Sequence, residues 1–487
     1  MKRILVVLFG VLLVLAAVAL ERTLTVRSRQ PQVASVAAEP LDTAALAQRL
    51  AGALRFKTIS YQDSSLFDAH EFDGFQRYLR ESFPKLHSTL KLEKVNGYGL
   101  LYSWTGSDSN LAPIVLLAHQ DVVPVEPGTE GRWTEPPFAG HIAAGYVWGR
   151  GALDDKGSLV GILEAVEELV TAGIKPRRTV YLAFGYDEEV GGRRGAGRIA
   201  ALLASRNVHP EFVLDEGGAL ATGLIPGVSS PVALIGIAEK GYVTVELTAQ
   251  AEGGHSSMPP EETAVGTLAA ALTRLEHHQM PRAIRAPTAD MFDFLGPEMP
   301  FGPRLVMTNR WLFGGVLASQ FGKTPQGNAM LRTTTAPTVL QAGVKENVLP
   351  STARALVNFR ILPGDSVQGV VEHVRRTVHD ARISVHPLEE TLSNPSEVTS
   401  VDAEPFQLLA RTIRQVIPGA VVTPWLVVGA TDSRHYARLT PNVLRFAGET
   451  IAKDDLRRVH GTDERVGVLA YADAVRIYIQ LLKNAAL

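Results

Sequence analysis

Three short apolar runs in the first half of the chain each end on acids or a histidine, and this pattern confines the fold. Pro113-Ile-Val-Leu-Leu-Ala118 runs into His119-Gln120-Asp121, Thr179–Phe184 into Asp187-Glu188-Glu189, and Phe212-Val-Leu214 into Asp215-Glu216. Short β-branched runs bounded by turn residues predict buried strands of a parallel sheet. Between them lie helical patterns, such as Leu159, Ile162, Leu163, Val166 and Leu169 within 158–172. The alternation predicts an α/β fold with a doubly wound, mostly parallel sheet. Ligands of such sheets bind beyond the carboxyl ends of the strands. His119 and Asp121, two apart at a strand end, point the same way, so they read as a metal ligand and an orienting carboxylate.

Two further clusters fall at such ends: Asp154, and His460 near the C-terminus. The chain has no cysteine, which excludes disulfides, thiolate metal sites and a cysteine nucleophile. A metal must therefore be held by His, Asp and Glu, a set that suits zinc, manganese or cobalt. Two histidines with several carboxylates are the ligand set of a co-catalytic di-metal hydrolase. The net charge of −2 gives no basis for a nucleic-acid partner.

The pattern changes after residue 238. Tyr242–Thr248 alternates apolar and polar, as an antiparallel strand with one wet face does. Gly253-Gly-His-Ser-Ser-Met-Pro259 reads as a loop before a helix, followed by strands near 331–341, 353–361 and 383–388 and a helix over 365–377. The order predicts a small α+β domain over 239–392 inserted into a catalytic domain of two parts, 41–238 and 393–487. The stretch 286–330 reads as irregular. Its Met291, Phe292, Phe294, Trp311 and Phe321 fit either lid core or interface, or an apolar channel for a long acyl chain.

Met1-Lys2-Arg3 precedes an uncharged apolar run from Ile4 to Leu20. A basic start and such a run make a signal peptide or an uncleaved signal anchor over 1–22, ahead of a linker over 23–40. A span needs ~17–25 residues, so the run is short for one. Ala17-Val18-Ala19 offers a cleavage-like site. Either outcome puts the body outside the cytoplasm, membrane-anchored or secreted.

Six segments carry a family resemblance: Leu116–Val123, Gly149-Arg-Gly-Ala-Leu-Asp-Asp-Lys-Gly157, Asp187-Glu-Glu-Val-Gly-Gly192, Leu214-Asp-Glu-Gly217, Gly254-His-Ser-Ser257 and Glu346-Asn-Val-Leu-Pro350. With them the chain resembles the M20 metallopeptidases. Leu-Asp-Glu-Gly-Gly and Ala430-Thr-Asp-Ser-Arg434 look most like the carboxypeptidase S / PM20D1 branch. The resemblance implies a zinc-peptidase type α/β fold with an inserted α+β lid or dimerisation domain, two Zn2+ per subunit (Co2+ or Mn2+ possible), and a possible homodimer through the lid. It implies that His119 and His460 are ligands of different ions, Asp154 the bridge, Glu189 a terminal ligand and Glu188 the general base, with Asp121 orienting His119. Asp215 is the expected fifth ligand, with Glu216 as the alternative. His255, Asn347, Arg360 and Arg434 resemble substrate contacts. The implied activity is cleavage of an amide bond next to a free C-terminal carboxylate, in a small peptide or an N-acyl amino acid. An M28-type aminopeptidase, reading a free amine, and a non-catalytic binding module on the same fold are the competing readings.

Overall fold

The computed structural model describes residues 1–487. Its centre is four adjacent parallel strands: Val180–Gly185, Ile114–His119, Phe212–Asp215 and Val443–Arg445. All residues of Ile114–His119 are buried, as expected of a strand covered on both faces. Helices Lys156–Thr171 and Val468–Ala486 pack with Leu116, Leu182 and Leu214 on one side. Helix Ala196–Ser205 packs with Val115, Leu117 and Val213 on the other. The sheet has ten strands and is mixed. Lys91–Val95 and Gly99–Trp104 add antiparallel at one edge. Val232–Glu239 joins at the other side, antiparallel to Val443–Arg445 and parallel to Val421–Val427.

A separate antiparallel sheet is built from Thr334–Ala342, Thr352–Ile361, Gly241–Gln250 and Ile383–Pro387. Strand Thr352–Ile361 alternates buried and half-exposed residues along almost its whole length. Its inward side chains meet helices Ala264–His277 and Val367–Val378.

The 286–330 stretch is helical, not irregular: Thr288–Leu295, Phe301–Thr308, Arg310–Phe321 and Pro325–Leu331. Its prolines hid the pattern. Pro287 and Pro300 flank helix starts and Pro325 opens one, where the missing N–H costs no hydrogen bond. Met291, Phe292 and Leu295 form a core with Leu234 and Leu426. The N-terminal helix covers Lys2–Thr25, long and apolar enough to cross a membrane by length and composition.

Candidate metal centre

At the carboxyl edge of the parallel strands, Asp154 stands between two imidazoles. Its Oδ1 lies 3.0 Å from His119 Nε2 and its Oδ2 3.0 Å from His460 Nε2. Glu216 Oε1 lies 3.6 Å from His119 Nε2, and Glu189 Oε2 3.3 Å from His460 Nε2. Two groups of three donors therefore share one carboxylate: His119, Asp154, Glu216 and Asp154, Glu189, His460.

The electrostatics leave this cluster short of positive charge. Burial would lower the pKa of His119, but the surrounding acids, Glu216 first, outweigh it and raise it. Hydrogen bonds to Asp154 and Glu189 push His460 up to about 10. Even so, burial and the neighbouring negative charges raise Glu188 and Glu216 well above the usual carboxylate range. Glu189 Oε1 is buried with no hydrogen-bond partner. Excess carboxylate, an orphaned oxygen and a nitrogen–oxygen donor set fit two divalent cations, with Asp154 facing both.

Each donor is held by its own element. His119 closes its strand, and its Nδ1 is 2.9 Å from the Asp121 carbonyl oxygen and 3.4 Å from the Asp121 carboxylate. That carboxylate also accepts from the N–H groups of Glu188 and Glu189, both at 3.1 Å. Asp121 thus sets the histidine and the acid pair together. The pair does not extend a strand. It occupies a 3₁₀ turn, Glu188–Val190, closed by left-handed Gly191 at φ +110°.

Asp215, expected as the fifth ligand, joins neither donor group, whereas Glu216 joins one. Asp215 follows Val213 to the face that carries helix Ala196–Ser205, and its Oδ2 accepts from Ser433 N at 2.7 Å. It supports the Thr431–Arg434 turn, which Glu239 holds as well, accepting from Thr431 N and Oγ1 and from Arg445 Nε. Glu216, one residue past the strand, reaches the sheet edge beside His119. Alternation along the strand separates the two acids.

Sequence reasoning missed Glu464. It is fully buried. Its Oε1 accepts from the N–H groups of Gly151, Leu153 and Asp154, and its Oε2 from Arg150 Nη1 at 2.6 Å. Arg150 donates onward to the carbonyls of His460 and Gly461. One carboxylate and one guanidinium therefore tie the Asp154 loop to the His460 loop. An acid four residues past the motif histidine was the available signal.

Arg434 is half-buried, with its Nη2 2.9 Å from the Gly191 carbonyl beside the Glu188 turn. Arg360 stacks on Tyr242, 4.6 Å from the ring centroid, and burial together with the charge of Arg434 lowers its pKa. His255 and Asn347 do not join the cluster. They lie on an exposed ribbon in which Gly254–His255 pairs with Val348–Leu349 and Ser256 N donates to the Asn347 carbonyl.

The comparisons with known proteins make this an enzyme of the metallopeptidase and amidohydrolase class. Residues 115–484 match Peptidase family M20/M25/M40, and the chain belongs to that family. It is 42% identical to a probable carboxypeptidase S-like 2 of Dictyostelium discoideum, over 98% of this chain and 92% of that protein. It is 39% identical to the human N-fatty-acyl-amino acid synthase/hydrolase PM20D1, over 91% of this chain and 88% of that protein. Among solved structures, the M20 family metallo-carboxypeptidase Sso-CP2 of Sulfolobus solfataricus superposes with a TM-score of 0.66 at 19% identity, over 91% of this chain and 99% of that one.

Proposed function

We propose that the chain is a two-metal hydrolase of amide bonds next to a free carboxylate, acting on N-acyl amino acids or small peptides. The observation that carries this is Asp154 facing His119 and His460 with its two oxygens. His119, Asp154 and Glu216 would hold one ion and Asp154, Glu189 and His460 the other. Bound there, two divalent ions supply Lewis acidity toward the scissile carbonyl and make the attacking water more acidic. Glu188 takes the proton from that water and delivers it to the departing nitrogen. Asp121 keeps Glu188 in place through its backbone N–H. Arg434 and Arg360 bind the substrate carboxylate, a role suited to the planar guanidinium.

His255 serves as an oxyanion donor from the lid, delivered by lid closure or by a second subunit of a homodimer. Its exposure, where it pairs with exposed Val348, supports that reading. Docking of Ala19 and Thr23 against the 301–309 segment supports a retained anchor.

The test is a panel of dipeptides and N-acetyl and N-long-chain-acyl amino acids with metal-replete protein, read by mass spectrometry. Hydrolysis is expected only where a free carboxylate follows the bond, and it should stop on chelation. Cleavage of substrates amidated at the C-terminus, with a free amine required, would favour the aminopeptidase reading.

A further inference from the structure

Helices Phe301–Thr308 and Arg310–Phe321 leave an apolar face uncovered. Leu312 and Val316 lie one turn apart on the second helix and are 39% and 55% exposed; Trp311, beside Leu312, is 48% exposed, and Phe301, opening the first helix, is 53% exposed. Val306 and Met307 of helix Phe301–Thr308 pack against the Met291–Leu295 core, so the uncovered apolar surface is that of Phe301, Trp311, Leu312 and Val316. Contiguous exposed apolar surface of this kind marks an interaction site.

The neighbouring element says what covers it. Helix Lys2–Thr25 packs on helix Phe301–Thr308. The contact is made by Ala19 and Thr23, four residues apart, small side chains that let backbones approach. Asn309 fills the joint: fully buried, its Nδ2 donates to the Ala19 carbonyl and to Thr23 Oγ1, both at 3.0 Å. Ala19 belongs to the apolar run Ile4–Leu20. The helix pair therefore stands level with the last turn of that run. At ~1.5 Å per residue the run spans about 26 Å, short of the ~30 Å hydrocarbon core. A short span is accommodated by local thinning of the bilayer and snorkelling of its flanking residues, which places the joint at the headgroup zone.

Charge agrees. No carboxylate occurs between Glu298 and Glu346, whereas Arg304, Arg310, Lys323, Arg332 and Lys345 fall in that interval; Arg310 is paired with Asp293, which leaves Arg304 and Lys323 as the cations at the helix pair. Trp311 is half-exposed with its indole N–H bonded to Asn309 Oδ1 at 3.2 Å, the amphipathic placement that suits a membrane–water interface.

We infer that the Phe301–Phe321 helix pair is a second membrane contact, seated in the headgroup layer of an anionic bilayer beside the N-terminal span. It rests on the reading of Lys2–Thr25 as a retained anchor. The enzyme body is then held at a fixed tilt by two points of attachment.

Because the chain lacks cysteine, single substitutions report one position each. The full chain is reconstituted in phosphatidylcholine–phosphatidylserine vesicles as Leu8→Cys, Trp311→Cys, Val316→Cys or Val344→Cys, each carrying an environment-sensitive fluorophore. Val344, 95% exposed, lies just past the end of strand Thr334–Ala342 in the other sheet and serves as the water-facing reference. Lipid-borne quenchers should dim the labels at 311 and 316 within about twofold of the label at 8, consistent with interfacial burial, and iodide should dim only the label at 344. If the label at 8 is dimmed by lipid while those at 311 and 316 respond only to iodide, the seating is overturned and the anchor stands. If the label at 8 responds only to iodide, the anchor reading fails and takes the seating with it. Labels at 311 and 316 shielded from both quenchers would mean a second copy covers the face, and would also overturn the proposal.

Discussion

The edge of the parallel sheet and the ribbon of the second sheet are built in opposite ways. At the edge, His119 and Asp121 are buried, and two carboxylates tie the donor-bearing segments down: Asp121 holds two backbone N–H groups, Glu464 three. On the ribbon, His255 and Asn347 are exposed, and His255 accepts only from its own neighbour Ser257. The first region is preorganised within one chain. The second offers chemistry with nothing to act on until another surface arrives. Preorganised groups cost no reordering at the moment of reaction, whereas a mobile donor adds a conformational step that can gate turnover.

The strongest way to break this contrast is at the metal edge. Glu216→Ala should lose one of the two ions on dialysis, and activity with it, while Asp215→Ala should keep both. Metal analysis decides, and ion loss in the Asp215 variant alone would reverse the assignment. Glu188→Gln should retain both ions and lose about 10³-fold or more in kcat; normal turnover would remove Glu188 from its role.

His255→Ala should cost about 10²–10³-fold in kcat, with metal content and melting temperature unchanged. The contrast sharpens if His255→Ala is mixed with Glu188→Gln. Partial recovery of activity would show that the ribbon serves a neighbouring subunit, and no recovery would place the His255 action within one chain. The smallest effect is expected from Glu464→Gln, which should weaken metal binding about 10–100-fold, the usual range for groups that orient ligands. An unchanged metal titration would make Glu464 a purely structural residue.

Most of the fold was legible from periodicity. The expected strand at 353–361 is Thr352–Ile361, and the expected helix at 365–377 is Val367–Val378, because apolar spacing follows directly from which face is covered. Strand Val232–Glu239 was not anticipated. It is buried along its whole length, so its pattern lacks the alternation that marks a half-exposed strand. The helices of 288–331 were hidden by prolines at their starts. In the site, His119, Asp154, Glu188, Glu189 and His460 were singled out by the family resemblance, and the structure brings His119, Asp154, Glu189 and His460 together, with the Glu188 N–H on Asp121. Asp215 and Glu216 were not separable by motif, since adjacent acids are equivalent until the strand's end is fixed.

By itself the sequence determined the class of fold, the absence of thiol chemistry and the set of acids and histidines available to a metal. These are properties of residue type and period. Only the tertiary structure decided which acid of Asp215-Glu216 meets His119, that Glu464 and Arg150 bind the two ligand loops together, and that an apolar helix pair stands beside the N-terminal helix. Each of these depends on which way a side chain turns where its element ends, and on contacts between residues hundreds of positions apart, which no local pattern encodes.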